Sequence, residues 1–409
     1  MQTRLIETLI NTPEGKAADR ILRKCVHCGF CLATCPTYQL TGNELESPRG
    51  RIYQIKQVLE GQPATTVTQT YLDHCLGCLS CETTCPSGVE YGQLADLGKQ
   101  LIERQVKRPW YQRVMRWGVL QCFPYRKRFV LMLRLAQCFK PLLPARLRAQ
   151  IPVRASQVSA KKTRSSKRKT RTMLLLNGCV QPGLTPQTNQ AAQQVFGQLG
   201  IDLVSVAQAG CCGAMSHHLQ KTEAGRNFAR QNIDAWWPFI EQGAEAIVTT
   251  ASGCGAFVKS YGEVLSEDPL YRDRAKHVAE VTKDVVEVLA KEELGPLRLK
   301  PAIGPIAFHP PCSLQHAQNL SGRVENLLAS LGFQLTSIAE KHLCCGSAGT
   351  YSIFNPATAQ TLRQRKLAAI ESQKPQLIAT ANVGCQHHLQ VGTGLEVIHW
   401  IELLVRPSD

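Results

Sequence analysis

One cysteine pattern occurs twice in this chain and restricts its fold more than any other feature. Cys25-x-x-Cys28-x-x-Cys31-x-x-x-Cys35-Pro36 returns as Cys75-x-x-Cys78-x-x-Cys81-x-x-x-Cys85-Pro86, with identical internal spacing. Three cysteines at steps of three turn their sulfurs inward from one tight loop, where they clasp one face of an iron–sulfur cube. The fourth, followed by proline, swings out and ligates the other loop's cluster. Two [4Fe–4S] clusters are therefore expected, the first on Cys25, Cys28, Cys31 and Cys85, the second on Cys75, Cys78, Cys81 and Cys35. Such crossing locks distant segments into one unit, so metal binding and folding are expected to be coupled. Zinc ribbons also use C-x-x-C pairs, usually as two knuckles around one ion. The third cysteine and the Cys-Pro in both runs argue against that reading.

The fold class expected is α+β/α/β multidomain. A mostly helical two-cluster ferredoxin-like domain would span 1–100, basic amphipathic helices and a linker 101–172, and a duplicated α/β unit 173–300 and 301–409. Residues 1–24 read as one helix leading into the cluster domain. Ser47-Pro48 reads as N-cap and first helical residue. Ile52, Ile55 and Leu59 then share one face, and Gly61 with Pro63 stops the helix. That helix is expected to pack over the clusters and exclude water.

From Met173 the chain repeats itself. Cys179, Cys211-Cys212-Gly213 and Cys254 recur as Cys312, Cys344-Cys345-Gly346 and Cys385, offset by 133, 133 and 131 residues. MLLLNGC, IDLVSV and AIVTTA read as buried strands, and their counterparts are PIAFHPPC, FQLTSI and LIATANVGC. Strands alternating with helices argue for mainly parallel sheets, with the cysteines just past strand ends, where open α/β sheets bind ligands. In each Cys-Cys-Gly the glycine is expected to let the backbone approach whatever the pair holds. A third metal centre, a redox dithiol, a substrate-facing site and plain packing of small apolar thiols all fit these eight cysteines. His217, His218, His309, His316, His342, His387 and His388 cluster near them in sequence. His27, inside the first run, reads as a residue that tunes a cluster without ligating it.

The charge is uneven. Residues 104–171 hold 20 Lys or Arg and no Asp or Glu, while the remainder holds 27 Lys or Arg against 31 Asp or Glu, a balance of −4. The stretch 151–172 reads as a solvated flexible linker. In 101–150, helices interrupted at Pro109, Pro124, Pro141 and Pro144 interleave Trp110, Trp117, Phe123, Phe129, Leu131 and Leu133 with cations. That suits an anionic membrane surface or an acidic partner subunit. Nucleic acid is not expected as a partner, because no recognised module accompanies the charge. No apolar run of about 18 residues and no apolar signal core stand out. The expected location is cytoplasmic, peripheral on the inner membrane. Catalytic residues are not expected on this chain, which has no nucleophile–base constellation and no dinucleotide fingerprint.

These residues together resemble a known family, the iron–sulfur subunits of glycolate oxidase, a three-subunit flavin-linked dehydrogenase. The resemblance runs nearly end to end. It is carried by CVHCGFCLATCPTYQLTGNELESPRGRIYQIKQVLEG, CLGCLSCETTCPSGVEYG, NIDAWWPFIEQGAEAI, TASGCGAFVKSYG, CSLQHAQ, LCCGSAGTYS and HWIELL. It implies FAD on two partner subunits that oxidise glycolate, or D-lactate, to the 2-oxo acid. This chain would accept single electrons and pass them to quinone or another membrane acceptor. The wider group takes in the third subunit of anaerobic glycerol-3-phosphate dehydrogenase, lactate-utilisation proteins and the Cys-Cys-Gly-bearing component of heterodisulfide reductase. The same role in a glycerol-3-phosphate or lactate dehydrogenase complex is therefore the alternative. A zinc-dependent nucleic-acid-binding protein is the distant one. Three residues before Cys254 and Cys385 stand Ala251 and Asn382, where the heterodisulfide reductase pattern has a further cysteine.

Overall fold

The computed structural model describes residues 1–142, 144, 148, 151–152, 171–297 and 304–406. The expected linker over 151–172 lies, apart from its ends, outside them.

The cysteine runs sit among helices. In place of one continuous N-terminal helix, a single turn at Glu7–Ile10 precedes α1 (Pro13–Lys24). The break has a local cause. The Gly15 amide donates to Thr12 Oγ1 at 3.0 Å and Pro13 takes the first helical position, where proline is favoured, whereas in a helix interior it removes a hydrogen bond. α2 (Pro48–Leu59) begins as the sequence indicates, with the Gly50 amide donating to Ser47 Oγ at 2.9 Å. It ends before Gly61, whose φ is 99°. Ile52, Ile55, Val58 and Leu59 are buried in one core with Ile21 and Leu22 of α1 and with Leu94, Ala95 and Ile102 of α3 (Tyr91–Gln105). The boundary expected at residue 100 falls inside α3. Pro109 then precedes α4 (Trp110–Cys122), and α5 (Arg126–Cys138) follows the turn at Pro124. α5 buries Phe129 and Leu133, with Phe129 seated against Gly183 at the start of the first repeat.

The first repeat carries four parallel strands, β1 (Arg171–Leu176), β2 (Ile201–Ser205), β3 (Ile247–Thr249) and β4 (Thr282–Asp284), ordered β2-β1-β3-β4. The second carries β5 (Ile306–His309), β6 (Leu377–Thr380) and β7 (Glu396–His399), also parallel, ordered β5-β6-β7. FQLTSI, expected as a strand, reduces to one parallel bridge from Leu335 to Ile306. Its backbone pairs there through the Ile306 amide to Gln334 O and the Thr336 amide to Ile306 O, and side chains anchor the rest: Phe333 is buried in the core shared by the repeats and Leu335 packs against it, while Gln334 and Ser337 are exposed. β4 and β7 were not expected; runs of three or four residues are too short to show a period.

The two repeats share one core. Leu175, Phe196, Val248 and Val286 pack with Ile306, Phe308, Leu328 and Trp400. Both faces of each sheet are covered, which is why the strands read as unbroken apolar runs. Two further helices matter for the site, α6 (Thr222–Glu241) in the first repeat and α7 (Pro356–Glu371) in the second.

Candidate iron–sulfur centres

The two cysteine loops have one backbone. Left-handed residues fall at equivalent places in both, His27 (φ 56°) with Gly77 (62°), and Gly29 (87°) with Leu79 (60°). Holding a non-glycine residue there costs about 1–3 kcal/mol, a strain that concentrates at functional sites. Cys35 caps the helix Pro36–Thr41, and Pro36 at its first position carries the chain out of the loop.

Two cavities result. The first, about 440 Å³ counting space open to solvent, is lined by Cys25, Cys28, Cys31 and Cys85, with Cys81 also reaching it. The second, about 310 Å³ on the same measure, is lined by Cys35, Cys75, Cys78 and Cys81. The eight cysteines thus divide so that Cys85 joins the first run's triplet and Cys35 the second's. Pro48 of α2 and Tyr91 of α3 border both cavities, and Ile52 borders the first. Among the described residues no three His, Cys, Asp or Glu side chains converge on a point where a single ion would sit; these sulfurs ring volumes instead.

The electrostatics fit an iron–sulfur group. Burial pushes Cys31 up to about 11. Burial and the neighbouring sulfurs push Cys78 and Cys81 well above the ordinary thiol value. Thiolates packed this way need compensating positive charge, which a ferric–ferrous core supplies. Cys75 differs. Burial raises it, but Arg51 and Lys99 overrule burial and hold it below the ordinary value. Its sulfur also accepts from the Tyr91 hydroxyl at 3.5 Å and the Gly77 amide at 3.4 Å.

Arg51 was missed by pattern reading. It is 1% exposed and lines the second cavity. Its guanidinium donates to Glu46 Oε2 at 2.6 Å, Tyr71 O at 2.7 Å and Thr37 Oγ1 at 3.2 Å. Glu46 Oε1 in turn meets His74 Nδ1 at 2.6 Å. The available signal was position: Arg51, Ile55 and Val58 share one side of α2, and an arginine on an apolar stripe needs a buried partner. Arg49, two residues earlier, lines the first cavity but pairs with Glu44 near the surface. His27 borders the first cavity, and its carbonyl accepts from Arg49 Nη1 at 3.3 Å.

The repeats build two similar rows of sulfur. Cys179, Cys211, Cys212 and Cys254 touch in chain order. Cys312, Cys344, Cys345 and Cys385 do the same, with 4.0 Å between the first two sulfurs. Each cysteine lies beyond the C-terminal end of a strand or of the edge segment that replaces one. In both motifs the glycine amide donates to the first cysteine's sulfur at 3.4 Å. The glycines also have a packing role that the sequence did not show. Gly213 (φ 96°) and Gly346 (93°) are left-handed, and an added Cβ would come within 2.6 Å of the Gly225 carbonyl on α6 or the Ala359 carbonyl on α7. They admit α6 and α7 at close range. Asn382 Nδ2 lies 3.7 Å from Cys385 Sγ, and the buried Lys366 stands near Cys344, Cys345 and Cys385.

The histidines divide by location. His217 and His218 meet Asp96 of α3 at 3.8 and 3.5 Å, joining the cluster domain to the first repeat. His316 joins it to the second, with Nδ1 2.9 Å from Thr83 Oγ1 and Nε2 3.1 Å from the His342 carbonyl. His309 is buried against Thr380 Oγ1 at 3.2 Å, and His388 Nε2 lies 3.2 Å from the Ala359 carbonyl. His387 is on the helix Val383–Gln390. The second cavity also faces the second repeat, since Cys78 feels the charge of Cys312 and of Cys344.

Comparisons with known proteins follow the same division. A family model described as a 4Fe-4S dicluster domain matches residues 21–89, and one described as a cysteine-rich domain, CCG, matches 173–259 and 306–390. The chain is 52% identical to the glycolate oxidase iron–sulfur subunit of Escherichia coli (strain K12), across 99% of this chain and 98% of that one. It is 30% identical to the "Probable glycolate oxidase iron-sulfur subunit" of Bacillus subtilis (strain 168), across 95% and 94%. Lactate utilization protein A of Exiguobacterium sp. is 25% identical over 55% of this chain.

Proposed function

The chain belongs to the family of glycolate oxidase iron–sulfur subunits, and from that premise we propose that it carries single electrons between a glycolate-oxidising flavin site on partner subunits and a quinone or other membrane acceptor. The observation that carries this reading is the partition of the eight cysteines between two cavities. Cys25, Cys28, Cys31 and Cys85 hold one [4Fe–4S] cluster, and Cys35, Cys75, Cys78 and Cys81 the other. When bound, such clusters accept and release single electrons without transferring atoms.

The chain's own residues prepare that exchange. Pro48, Ile52 and Tyr91 wall the cavities with apolar surface, and amide and hydroxyl donors aim at the sulfurs. Around the first cavity Cys28 is exposed, with Val26 and Phe30 68% and 62% exposed beside it. That apolar rim is where a flavin subunit docks, FAD and the hydride step being the partners'. D-Lactate is a second substrate candidate. The domains follow the order set out above, with the cluster domain running to the end of α3 at Gln105 and the first repeat opening with β1 at Arg171.

Trp110, Trp117, Leu131 and Leu135 on α4 and α5, and Phe139 just past α5, stand exposed among Arg113, Lys127 and Arg134. This face rests on an anionic membrane surface on the cytoplasmic side; among the described residues no helix is long and apolar enough to cross a membrane. The function is tested by adding glycolate, D-lactate or glycerol 3-phosphate to the anaerobically purified complex and recording EPR spectra. Glycolate is expected to produce reduced-cluster signals during turnover. Clusters that stay oxidised while the complete complex turns over would defeat the relay.

A further inference from the structure

Two arginines on α2, two residues apart, reach two different cavities. Arg49 borders the first, where its side chain is 31% exposed and that of its partner Glu44 44%. Water screens a charge so placed. Arg51 borders the second with a side chain 1% exposed, paired to Glu46 at 7%. Glu46 neutralises Arg51 formally; its carbonyl lies 3.7 Å from Cys35 Sγ, but its carboxylate is taken up by Arg51 and His74 and does not line the cavity. The second cavity therefore meets the positive end of a buried ion pair, and at short range in a poorly polarisable interior the nearer charge dominates. The hydrogen bonds from Tyr91 and Gly77 to Cys75 Sγ act in the same direction. Reduction adds negative charge to a cluster, and neighbouring positive charge and donors to sulfur favour the reduced state.

We propose that Arg51 holds the second centre at a higher reduction potential than the first, making the inner centre, beside the second repeat, the resting place of the electron. Arg51 acts here as a positioning residue for charge, not as a ligand. The inference rests on the two-cluster reading above.

The test is an EPR-monitored redox titration of the anaerobically purified complex, with iron and acid-labile sulfide counted in every sample. The unmodified protein is expected to show two separate one-electron steps. Arg51→Gln is expected to move the upper step to lower potential and leave the lower step in place, whereas Arg51→Lys keeps most of the separation. Glu46→Gln, which uncovers the guanidinium, moves the upper step the opposite way and serves if Arg51→Gln fails to assemble. Arg49→Gln moves either step less than Arg51→Gln moves the upper one. Full iron content with both steps unmoved by Arg51→Gln and Glu46→Gln overturns the role of Arg51 alone. An iron-free unmodified protein overturns the two-cluster reading, and this inference with it.

Discussion

The two cysteine loops share a backbone and differ in their surroundings. Histidine and glycine at the first left-handed position, and glycine and leucine at the second, adopt the same φ region in both. One loop looks out through the exposed Cys28, Val26 and Phe30; the other looks inward, toward Arg51 and the second repeat. Loop geometry decides that a cluster is held, and the neighbours decide what that cluster is for. An open rim suits exchange with a partner, and a buried charged wall suits setting a potential.

The comparison is broken most visibly by removing the crossed cysteines. Cys35→Ala is expected to abolish the centre of the second run, and Cys85→Ala that of the first, each losing about four irons per chain. Iron analysis and EPR check this, and loss of the first centre in Cys35→Ala would refute the crossing. Next come the two arginines. Arg51→Met leaves the buried Glu46 with His74 alone and is expected to cost about 3–5 kcal/mol. Arg49→Met, near the surface, is expected to cost less than about 1 kcal/mol. Anaerobic denaturant unfolding measures both, and equal costs would erase the distinction between the cavities. Tyr91→Phe removes one hydroxyl donor to Cys75 and is expected to cost about 1 kcal/mol in the same experiment.

The smallest effect concerns how the cluster domain meets the repeats, ionic on the first and neutral on the second. Burial lowers the His218 pKa, but Asp96 outweighs it and raises the value above 6.5. The contribution of that pair is thus complete below pH 6.5 and lost as pH rises through the raised value. Burial also raises Asp96, yet His218 and His217 bring it down to about 2, so its share is present above pH 3.8 and lost toward pH 2. His218 keeps 57% of its side chain exposed, so water screens the pair. Thermal melts are expected to show a slight loss of stability above neutral pH that Asp96→Asn flattens; an unchanged slope in that variant would remove Asp96 from the contact.

Much of this was legible in the sequence because spacing encodes it directly. The cysteine steps, the Ser47-Pro48 start of α2 and the apolar runs of β1, β3, β5 and β6 are local patterns with local causes. What was not legible is set by distant neighbours. The place of Arg51 on the apolar side of α2 calls for a buried partner and Glu46 is close in sequence, but nothing nearby shows that Tyr71, 20 residues on, and Thr37, 14 back, will close around it. The packing role of Gly213 and Gly346 was hidden, because the carbonyls they admit belong to helices later in the chain. FQLTSI carries strand-like residues but lies on an edge where one bridge survives. His217, His218 and His316 sit near cysteines in sequence; in space His218 stays near Cys212, and all three also meet Asp96 or Thr83 of the other domain, which the sequence does not show.

The most direct test of the account is elemental. Anaerobically purified chain, assayed for iron, acid-labile sulfide and zinc, is expected to contain at least about eight iron and eight sulfide, and to be brown. A colourless protein with stoichiometric zinc, or with no metal at all, would contradict it.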